Sequence, residues 1–280
     1  MKLFESLEMR RLLSVTVEQQ GSWLFISGTS SADIVTVDDA GSNALKVLDN
    51  GQFVAQKWSI DNVVLKTFGG SDQVYIKSGK TNVQFQIDLG SGNDWLEPGY
   101  GKHYITGGSG IDSVSYAKMG TDMYITNNGG WTGYRAGGSV TQEDKISTDV
   151  EALYGGSGND AIVGNNNVAN YLYGGAGNDI LMGGNQDDYL QGDDGNDSMW
   201  GHAGNDTFHG GNGSDSMVGG IGNDLFYARD GWAGVDTVIG DNNWGVNEPG
   251  SFDRVYGDTI DKLNSHEWAS LTAPPIFHWF

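Results

Sequence analysis

GGAGNDILM at residues 174–182 opens a run of nine-residue units that continues as GGNQDDYLQ, GDDGNDSMW, GHAGNDTFH, GGNGSDSMV and GGIGNDLFY, ending at Tyr227. The run is preceded by GGSGNDAIV, which begins at Gly155, and by the ten-residue unit GNNNVANYLY. Across the units, glycine recurs in slots one, two and four, an acidic residue in slot six and an apolar residue in slot eight. A period of nine does not match the 3.6-residue period of a helix face, so this stretch is not a helix.

The slots predict a coil made of turns and short strands. Glycines in the first four slots let the backbone adopt positive φ and turn tightly. The last three slots form a short strand whose middle residue points inward, because side chains alternate across a strand. Two units therefore make one full coil, and turns two units apart stack on the same edge.

The pattern resembles the consensus GGxGxDxUx of the RTX (repeat-in-toxin, hemolysin-type) family, a β-helix repeat that binds calcium. The resemblance implies an all-β fold, a parallel β-roll or β-helix solenoid built from nonapeptides. Residues N-terminal to the regular units fit a more degenerate β region of the same kind.

Stacked turns predict a column of metal ligands along each edge. Carboxylates and turn carbonyls at close quarters suit Ca²⁺, which accepts about six to eight oxygen ligands. The acids predicted on one edge are Asp160, Asp179, Asp197 and Asp215, and those on the other are Asp188, Asp206 and Asp224. Asp94, Asp112 and Asp236 occupy the same slot elsewhere. Further candidate ligands, from the turns' first and third slots, are Gly155, Ser157, Gly174, Ala176, Gly183, Asn185, Gly192, Asp194, Gly201, Ala203, Gly210 and Asn212.

A flexible Gly/Asn/Asp linker is the alternative for this stretch, but a linker would not keep an apolar residue in register with the acid. Between Glu151 and Ala228 there are eleven acidic residues and no Lys or Arg. Like charges stacked a strand spacing apart repel, so bound cations and folding are expected to be one event. Asn170 replaces the acid in the ten-residue unit, which predicts a weaker site there.

Composition bears on partners and compartment. The chain has 280 residues, a net charge of −21, 45 glycines, four prolines and no cysteine. The charge argues against nucleic acid as a partner. Without disulfides, calcium is the expected cross-link, and millimolar calcium is found outside cells, so the chain is expected to be extracellular or on the cell surface. No stretch is long and apolar enough for a transmembrane segment.

The chain divides by pattern into five segments: an N-terminal sorting-like segment (1–20), a degenerate β-solenoid (21–115), a connecting hairpin or loop (116–153), the RTX-like β-roll (154–240) and a C-terminal cap that is also a candidate secretion signal (241–280). The first segment is similar to the LE-x-R-x-LL-S element of bacterial surface and secreted proteins, with Met9 departing from the usual residue. A twin-arginine signal or a plain first strand are its alternatives.

The degenerate region shows alternating strands about ten residues apart. The predicted strands are Trp23 to Ile26, Ile34 to Val37, Ala44 to Leu48, Val63 to Leu65, Val74 to Ile76 and Val83 to Ile87. GTSSADIVTV and FGGSDQVYI are faint echoes of the repeat. Asp94 and Asp112 are placed to share a calcium ion, and His103 takes the acid slot on the opposite edge, where an ordinary turn histidine is favoured over a transition-metal ligand.

No catalytic constellation is found. His266-Glu267 begins like a zinc-binding HExxH helix, but Ser270 stands where the second histidine is required. The sequence therefore predicts a secreted or surface calcium-binding β-roll with a structural or adhesive role and no intrinsic catalysis, with extracellular polysaccharide or cell-surface components as candidate partners. Two alternatives remain: a polysaccharide-modifying enzyme of β-helix type, or the secretion module of a larger toxin or adhesin.

Overall fold

A computed structural model describes residues 14–41, 43–80, 82–130, 132–136, 139–140, 144–228, 235–240, 254–257 and 262–263. Their regular secondary structure is entirely β, which confirms the predicted fold class. None of these residues belongs to a helix long and apolar enough to cross a bilayer. The described ranges leave out all of the sorting-like segment except Ser14 to Gln20, and most of the predicted C-terminal cap.

The strands follow one another closely along the chain. The first eleven are β1 (Thr16–Gln20), β2 (Trp23–Ser27), β3 (Ile34–Asp39), β4 (Ala44–Asp49), β5 (Gln52–Trp58), β6 (Asn62–Lys66), β7 (Gln73–Ile76), β8 (Gln84–Ser91), β9 (Trp95–Glu97), β10 (Lys102–Ser109) and β11 (Ser113–Ser115). The others are β12 (Met123–Thr126), β13 (Gly133–Ala136), β14 (Ser139–Val140), β15 (Lys145–Ile146), β16 (Ala152–Tyr154), β17 (Ala161–Val163), β18 (Tyr171–Ala176), β19 (Ile180–Gly184), β20 (Tyr189–Asp194), β21 (Ser198–Ala203), β22 (Thr207–Asn212), β23 (Ser216–Ile221), β24 (Leu225–Ala228), β25 (Thr237–Ile239), β26 (Arg254–Gly257) and β27 (Lys262–Leu263).

The chain forms two compact units. Unit 1 takes its described residues from 1–115 and 142–150, and unit 2 takes them from 116–141 and 151–280. The strands of each unit belong to two sheets, and the chain alternates between them as it coils.

Unit 2 contains the repeats, and its strands pair in parallel at the predicted spacing. One sheet has the order β16-β18-β20-β22-β24-β26, and the other includes β12-β17-β19-β21-β23-β25-β27. Leu172 pairs with Leu190, and Leu181 pairs with Met199. These partners are two units apart, which confirms that two nonapeptides make one coil.

Slot eight supplies the core of unit 2. Its apolar side chains point between the two sheets and are at most 2% exposed: Ile162, Leu172, Leu181, Leu190, Met199, Phe208, Met217, Phe226 and Val238. The Phe208 and Phe226 rings stack with centroids 4.7 Å apart. Each coil buries only two such side chains, so apolar burial alone gives this narrow core little stability.

Unit 1 repeats the coil less regularly. Strands β2, β6, β8 and β10 pair in parallel in one sheet, and β3, β7, β9 and β11 do so in the other. All six predicted strands are present. Strand β5 was not predicted; with β4 it forms an antiparallel hairpin beside β3, while β1 pairs antiparallel with β2. These additions extend one coil to roughly twice the usual length.

The connecting segment (116–153) was expected to form a hairpin or loop. A hairpin is present as β13 and β14. The strands on either side of it, however, join the coils: β12 pairs in parallel with β17 in unit 2, and β15 pairs in parallel with β10 in unit 1. Buried side chains explain this, because Met123 and Ile125 are at most 1% exposed and extend the core of unit 2.

An aromatic row runs along the outer face of one sheet of unit 2. Tyr154 and Tyr173 stack with centroids 4.3 Å apart and an interplanar angle of 1°. Tyr189 lies 5.2 Å from His209, which stacks on Tyr227 at 4.3 Å. Stacked rings shield one another's faces, so this row stabilises the contact between neighbouring coils.

Candidate metal centre

The slot-six residues of unit 2 form two columns. The first column consists of Asp160, Asp179, Asp197, Asp215 and Asp236, which directly precede β17, β19, β21, β23 and β25. The second column consists of Asn170, Asp188, Asp206 and Asp224, which precede β18, β20, β22 and β24. This is the predicted division between the two edges. Every member is at most 3% exposed, although a carboxylate is among the groups that most need water.

One oxygen of each carboxylate is bound to the preceding coil. The N–H of Asp160 donates to Asp179 Oδ1 at 2.7 Å, and the N–H of Asp179 donates to Asp197 Oδ1 at 2.7 Å. The second column repeats the contact, with the N–H of Asp188 donating to Asp206 Oδ1 at 2.8 Å. Each column is therefore a continuous ladder in which every aspartate holds the preceding coil in register.

The other carboxylate oxygen has no hydrogen-bond donor at several positions. The Oδ2 atoms of Asp179, Asp188, Asp197 and Asp206 are buried and have no hydrogen-bond partner. A buried polar atom left unsatisfied costs about 1–3 kcal/mol, and more when it is charged. A repeated penalty of this kind indicates that another group satisfies these oxygens in the functional protein.

The first glycine of each unit provides the space for the second oxygen. A Cβ atom on Gly155 would lie 2.5 Å from Asp160 Oδ2. A Cβ atom on Gly192 would collide with Asp197 Oδ2 and would lie 2.5 Å from the carbonyl oxygen of Gly210, in the next coil. Glycine is required in slot one because only its bare Cα lets these two oxygens approach the same point.

Asn170 shows what the turn carbonyls need. Its Nδ2 donates to the carbonyl oxygens of Asn165 and Val168, each at 3.0 Å, and lies 2.8 Å from Asp188 Oδ1. An aspartate in the same slot brings an oxygen where asparagine brings an N–H group. The turn carbonyls then face a carboxylate with no proton between them, and a cation beside the carboxylate would satisfy both.

Burial raises the pKa values of the column carboxyls. The pKa of Asp179 and of Asp197 rises to about 7, and that of Asp206 to about 8. The N–H donated by the preceding coil opposes the rise, while neighbouring carboxylates in the column add to it. Without a cation these groups are therefore partly protonated near neutral pH, and a metal that binds them must displace the protons.

The donor set fits calcium. Among the described residues, no three His, Asp or Glu side chains come together as a metal cluster. The further candidate ligands beside the column carboxylates are turn carbonyls, such as that of Gly210 next to Asp197. Carboxylate and carbonyl oxygens are the ligands of a hard cation that tolerates irregular geometry. Residues of the columns would hold Ca²⁺, which would neutralise the stacked carboxylates and link successive coils.

The candidate carbonyls in slots one and three have different surroundings. In slot one, the carbonyl of Gly174 lies over the Cα of Gly155, and that of Gly210 lies over the Cα of Gly192, next to the column carboxylates. In slot three, the carbonyls of Asp194 and Asn212 accept the N–H groups of Gly177 and Gly195 at 2.7 and 2.8 Å. A carbonyl has two lone pairs, so the slot-three carbonyls keep one for a metal.

A second ladder, which the sequence analysis missed, lies at slot five. The Oδ1 of Asn178 accepts the N–H of Asn196 at 2.8 Å, and the Oδ1 of Asn159 accepts the N–H of Asn178 at 2.8 Å. On the other edge, Asn205 Oδ1 accepts the N–H of Asn223. The sequence signal for this ladder was the recurrence of Asn directly before the acid. A side-chain amide that recurs in a fixed slot can hydrogen-bond to the same slot two units away.

Unit 1 contains the remaining predicted site residues. The N–H of Asp94 donates to Asp112 Oδ1 at 3.0 Å, so these two residues stack as in the repeats. His103 is not a turn histidine: it is fully buried in β10, its ring lies 5.1 Å from Phe85, and its Nδ1 lies 2.8 Å from Asp144 Oδ1. The prediction was wrong because Asp144, the partner of His103, is distant in sequence.

Comparison with known proteins agrees with this geometry. The family model of the RTX calcium-binding nonapeptide repeat matches residues 151–168, 169–190, 191–226 and 209–243. No curated protein matches the chain. The matched segments include both acid columns, so residues 151–243 of this chain are RTX calcium-binding nonapeptide repeats, and the protein they form is a calcium-binding β-roll.

Proposed function

We propose that this protein works outside the cell, secreted or at the cell surface, as a structural or adhesive β-roll that folds when it binds calcium. The buried carboxylate oxygens without donors carry this proposal. In the cytosol, where free calcium is scarce, the buried column carboxylates have no cation to satisfy them and the coils are unstable. Outside, calcium fills the columns and the chain becomes rigid.

The distribution of charge and polar contacts supports a structural role without catalysis. The column aspartates of the repeats are used within the ladders, where an Oδ1 atom such as that of Asp197 already accepts an N–H from the coil before it. A general acid or base needs a carboxyl that faces a substrate. Extracellular polysaccharide or a cell-surface component is the partner class that suits an exported, rigid and acidic coil.

The proposal is tested by following the secondary structure of the full chain during a calcium titration. Far-UV circular dichroism is expected to change from coil to β as calcium replaces chelator, and magnesium at the same concentration is expected to be much less effective. Immunoblotting of culture medium and of washed cells then tests export. A β spectrum that persists in excess chelator at pH 8 would refute calcium-dependent folding, and retention in the cytosol would refute the extracellular role.

A further inference from the structure

Unit 1 presents an open groove on the outer face of the sheet that contains β2, β6, β8 and β10. Its volume is about 330 Å³, within the range of about 300–1,000 Å³ that small-molecule sites occupy. The side chains that line it include Val64, Lys66, Gln84, Gln86, Asp88 and Tyr104, and we call this set the unit 1 groove. None of them belongs to the acid columns, so the groove is separate from the metal centre.

The register of the strands arranges these side chains in straight rows, because parallel strands align every second residue on one face. Val64 pairs with Gln86, and Gln86 pairs with Tyr104. The neighbouring row joins Lys66 to Asp88 in the same way. Three strand spacings of about 4.8 Å separate β2 from β10, so the rows extend about 14 Å across the sheet. That length exceeds one sugar ring, so the face can hold several rings of a polymer.

Polar side chains give the groove the hydrogen-bonding groups that sugars require. Gln86 is exposed and Gln84 is half-buried, and each amide has a carbonyl acceptor and two N–H donors. A sugar hydroxyl both donates and accepts, so one amide can bond to two neighbouring hydroxyls. Lys66 and Asp88 form an exposed ion pair at 3.0 Å, which contributes little stability and can open to a ligand. The polar groups of the groove therefore match a surface of hydroxyls.

Aromatic side chains lie beside the polar ones on the same face. Phe25 pairs with Val64 across β2 and β6, and its ring lies 6.3 Å from that of Trp23, which is 39% exposed. The face of an aromatic ring carries partial negative charge, which attracts the C–H groups on the face of a sugar ring. A peptide would instead add to a free sheet edge, whereas these four strands are paired on both sides. The face is therefore better suited to carbohydrate than to peptide.

The charge of this face differs from that of the whole chain. Its described outward positions carry three lysines and two acids, which are Lys66, Lys102, Lys145, Glu18 and Asp88. The chain has a net charge of −21, and residues 151–228 contain no Lys or Arg. A polymer that carries carboxylates is repelled by the acidic repeats and attracted to the lysines of this face.

We propose that the unit 1 groove binds an extended polysaccharide that carries carboxylate groups. The inference names the partner of the proposed extracellular β-roll and rests on that function. Lys66 pairs with a sugar carboxylate, the amides of Gln84 and Gln86 bond to hydroxyls, and Trp23 packs on the face of a ring. The calcium-bound repeats then supply rigidity, while unit 1 attaches the protein to the polysaccharide.

Isothermal titration calorimetry of the full chain tests the proposal with galacturonate hexamers and with their methyl esters, at a constant calcium concentration. The ester keeps the rings and hydroxyls but lacks the charge. We expect the acid to bind and the ester to bind about ten-fold more weakly, because it loses the charge-assisted contact. Equal binding of acid and ester, or no binding of either, would overturn the proposal. Binding of a single-stranded DNA hexamer as tight as that of the acid would also overturn it, since it would show attraction to any polyanion.

Lys66→Gln tests the groove directly, with Lys46→Gln as the matched control. Lys46 forms an ion pair with Asp38, also at 3.0 Å, on the other sheet of unit 1. We expect Lys66→Gln to weaken binding of the acid hexamer about ten-fold and Lys46→Gln to leave it unchanged. Equal affinities of the two variants would contradict the assignment.

Circular dichroism of the same samples during a calcium titration separates this inference from the proposed function. A chain that folds with calcium but binds no hexamer refutes the groove and leaves the calcium-dependent function standing. A chain that binds the hexamer but keeps its β spectrum in chelator refutes calcium-dependent folding and leaves the groove standing.

Discussion

Substitution of Asp197 by asparagine should have opposite effects with and without calcium. Asn can keep the acceptor that binds the N–H of Asp179 at 2.7 Å but loses the negative charge of the buried second oxygen. In chelator, burial raises the pKa of Asp197 from 3.8 to about 7, so its ionised form destabilises the folded coil. A raised pKa means that the stabilising contribution is complete below the unfolded value and is lost as pH rises through about 7.

The magnitudes follow from these values. One pKa unit corresponds to about 1.4 kcal/mol, so at pH 8 ionised Asp197 costs the metal-free coil at most roughly 4 kcal/mol, which asparagine removes. In calcium the substitution removes a ligand instead. An ion present at 100 times its Kd contributes about 2.7 kcal/mol to folding, and we expect a loss of that order.

The assay is unfolding of the full chain at pH 8, monitored by circular dichroism. In calcium, Asp197→Asn should lower the urea midpoint. In chelator, the osmolyte TMAO promotes folding, and the variant should require less of it than the wild type. Asp194→Asn is the control: this residue of the same coil is exposed, the substitution keeps the backbone carbonyl that is its candidate ligand, and neither midpoint should change by much. A variant that is less stable than the wild type under both conditions, or more stable under both, would contradict the reasoning.

Three further predictions concern the slot-one glycine, the protons of the column carboxyls and the aromatic row. Gly192→Ala should raise the calcium concentration at half-folding and cost about 1–3 kcal/mol of folding free energy, because its Cβ collides with fixed oxygens. Gly120→Ala, whose Cβ would lie 3.6 Å from the nearest atom, is the control and should be neutral. Calcium titrations of the two variants that coincide would contradict this prediction. Calcium affinity, measured by calorimetry, should rise with pH between about 6 and 8, since deprotonation of groups such as Asp206 must precede binding; a flat profile would refute proton displacement. Tyr173→Ala should lower the thermal midpoint in calcium, because it loses about 1 kcal/mol of ring-stacking free energy in addition to the free energy of burying its apolar area, and it should not change the number of bound ions. Fewer bound ions would contradict a purely packing role.

The regular part of the fold could be predicted because its partners lie at a constant distance in sequence. A period of nine fixes which residues stack, so the two columns of unit 2 and the slot-eight core follow from the spacing alone. The role of glycine in slot one is less apparent, since it depends on where the second oxygen of an aspartate such as Asp179 lies.

Irregular coils concealed the rest. Asp33 and Asp72 are 39 residues apart because the β4–β5 hairpin is inserted between them, so their stacking cannot be read from a period. His103 was misplaced for a related reason: its partner Asp144 lies 41 residues away, beyond the β13–β14 hairpin. Where a coil contains an insertion, only the three-dimensional register shows which side chains meet.

The most direct test is a crystal structure of the full chain grown in calcium, with an anomalous difference map calculated at a wavelength where calcium scatters anomalously. We predict peaks between successive coils beside the second carboxylate oxygens of Asp179, Asp197, Asp188 and Asp206. A map with no peaks along these columns, in a protein that remains coiled with its aspartates buried, would contradict the claim that calcium holds the coils together.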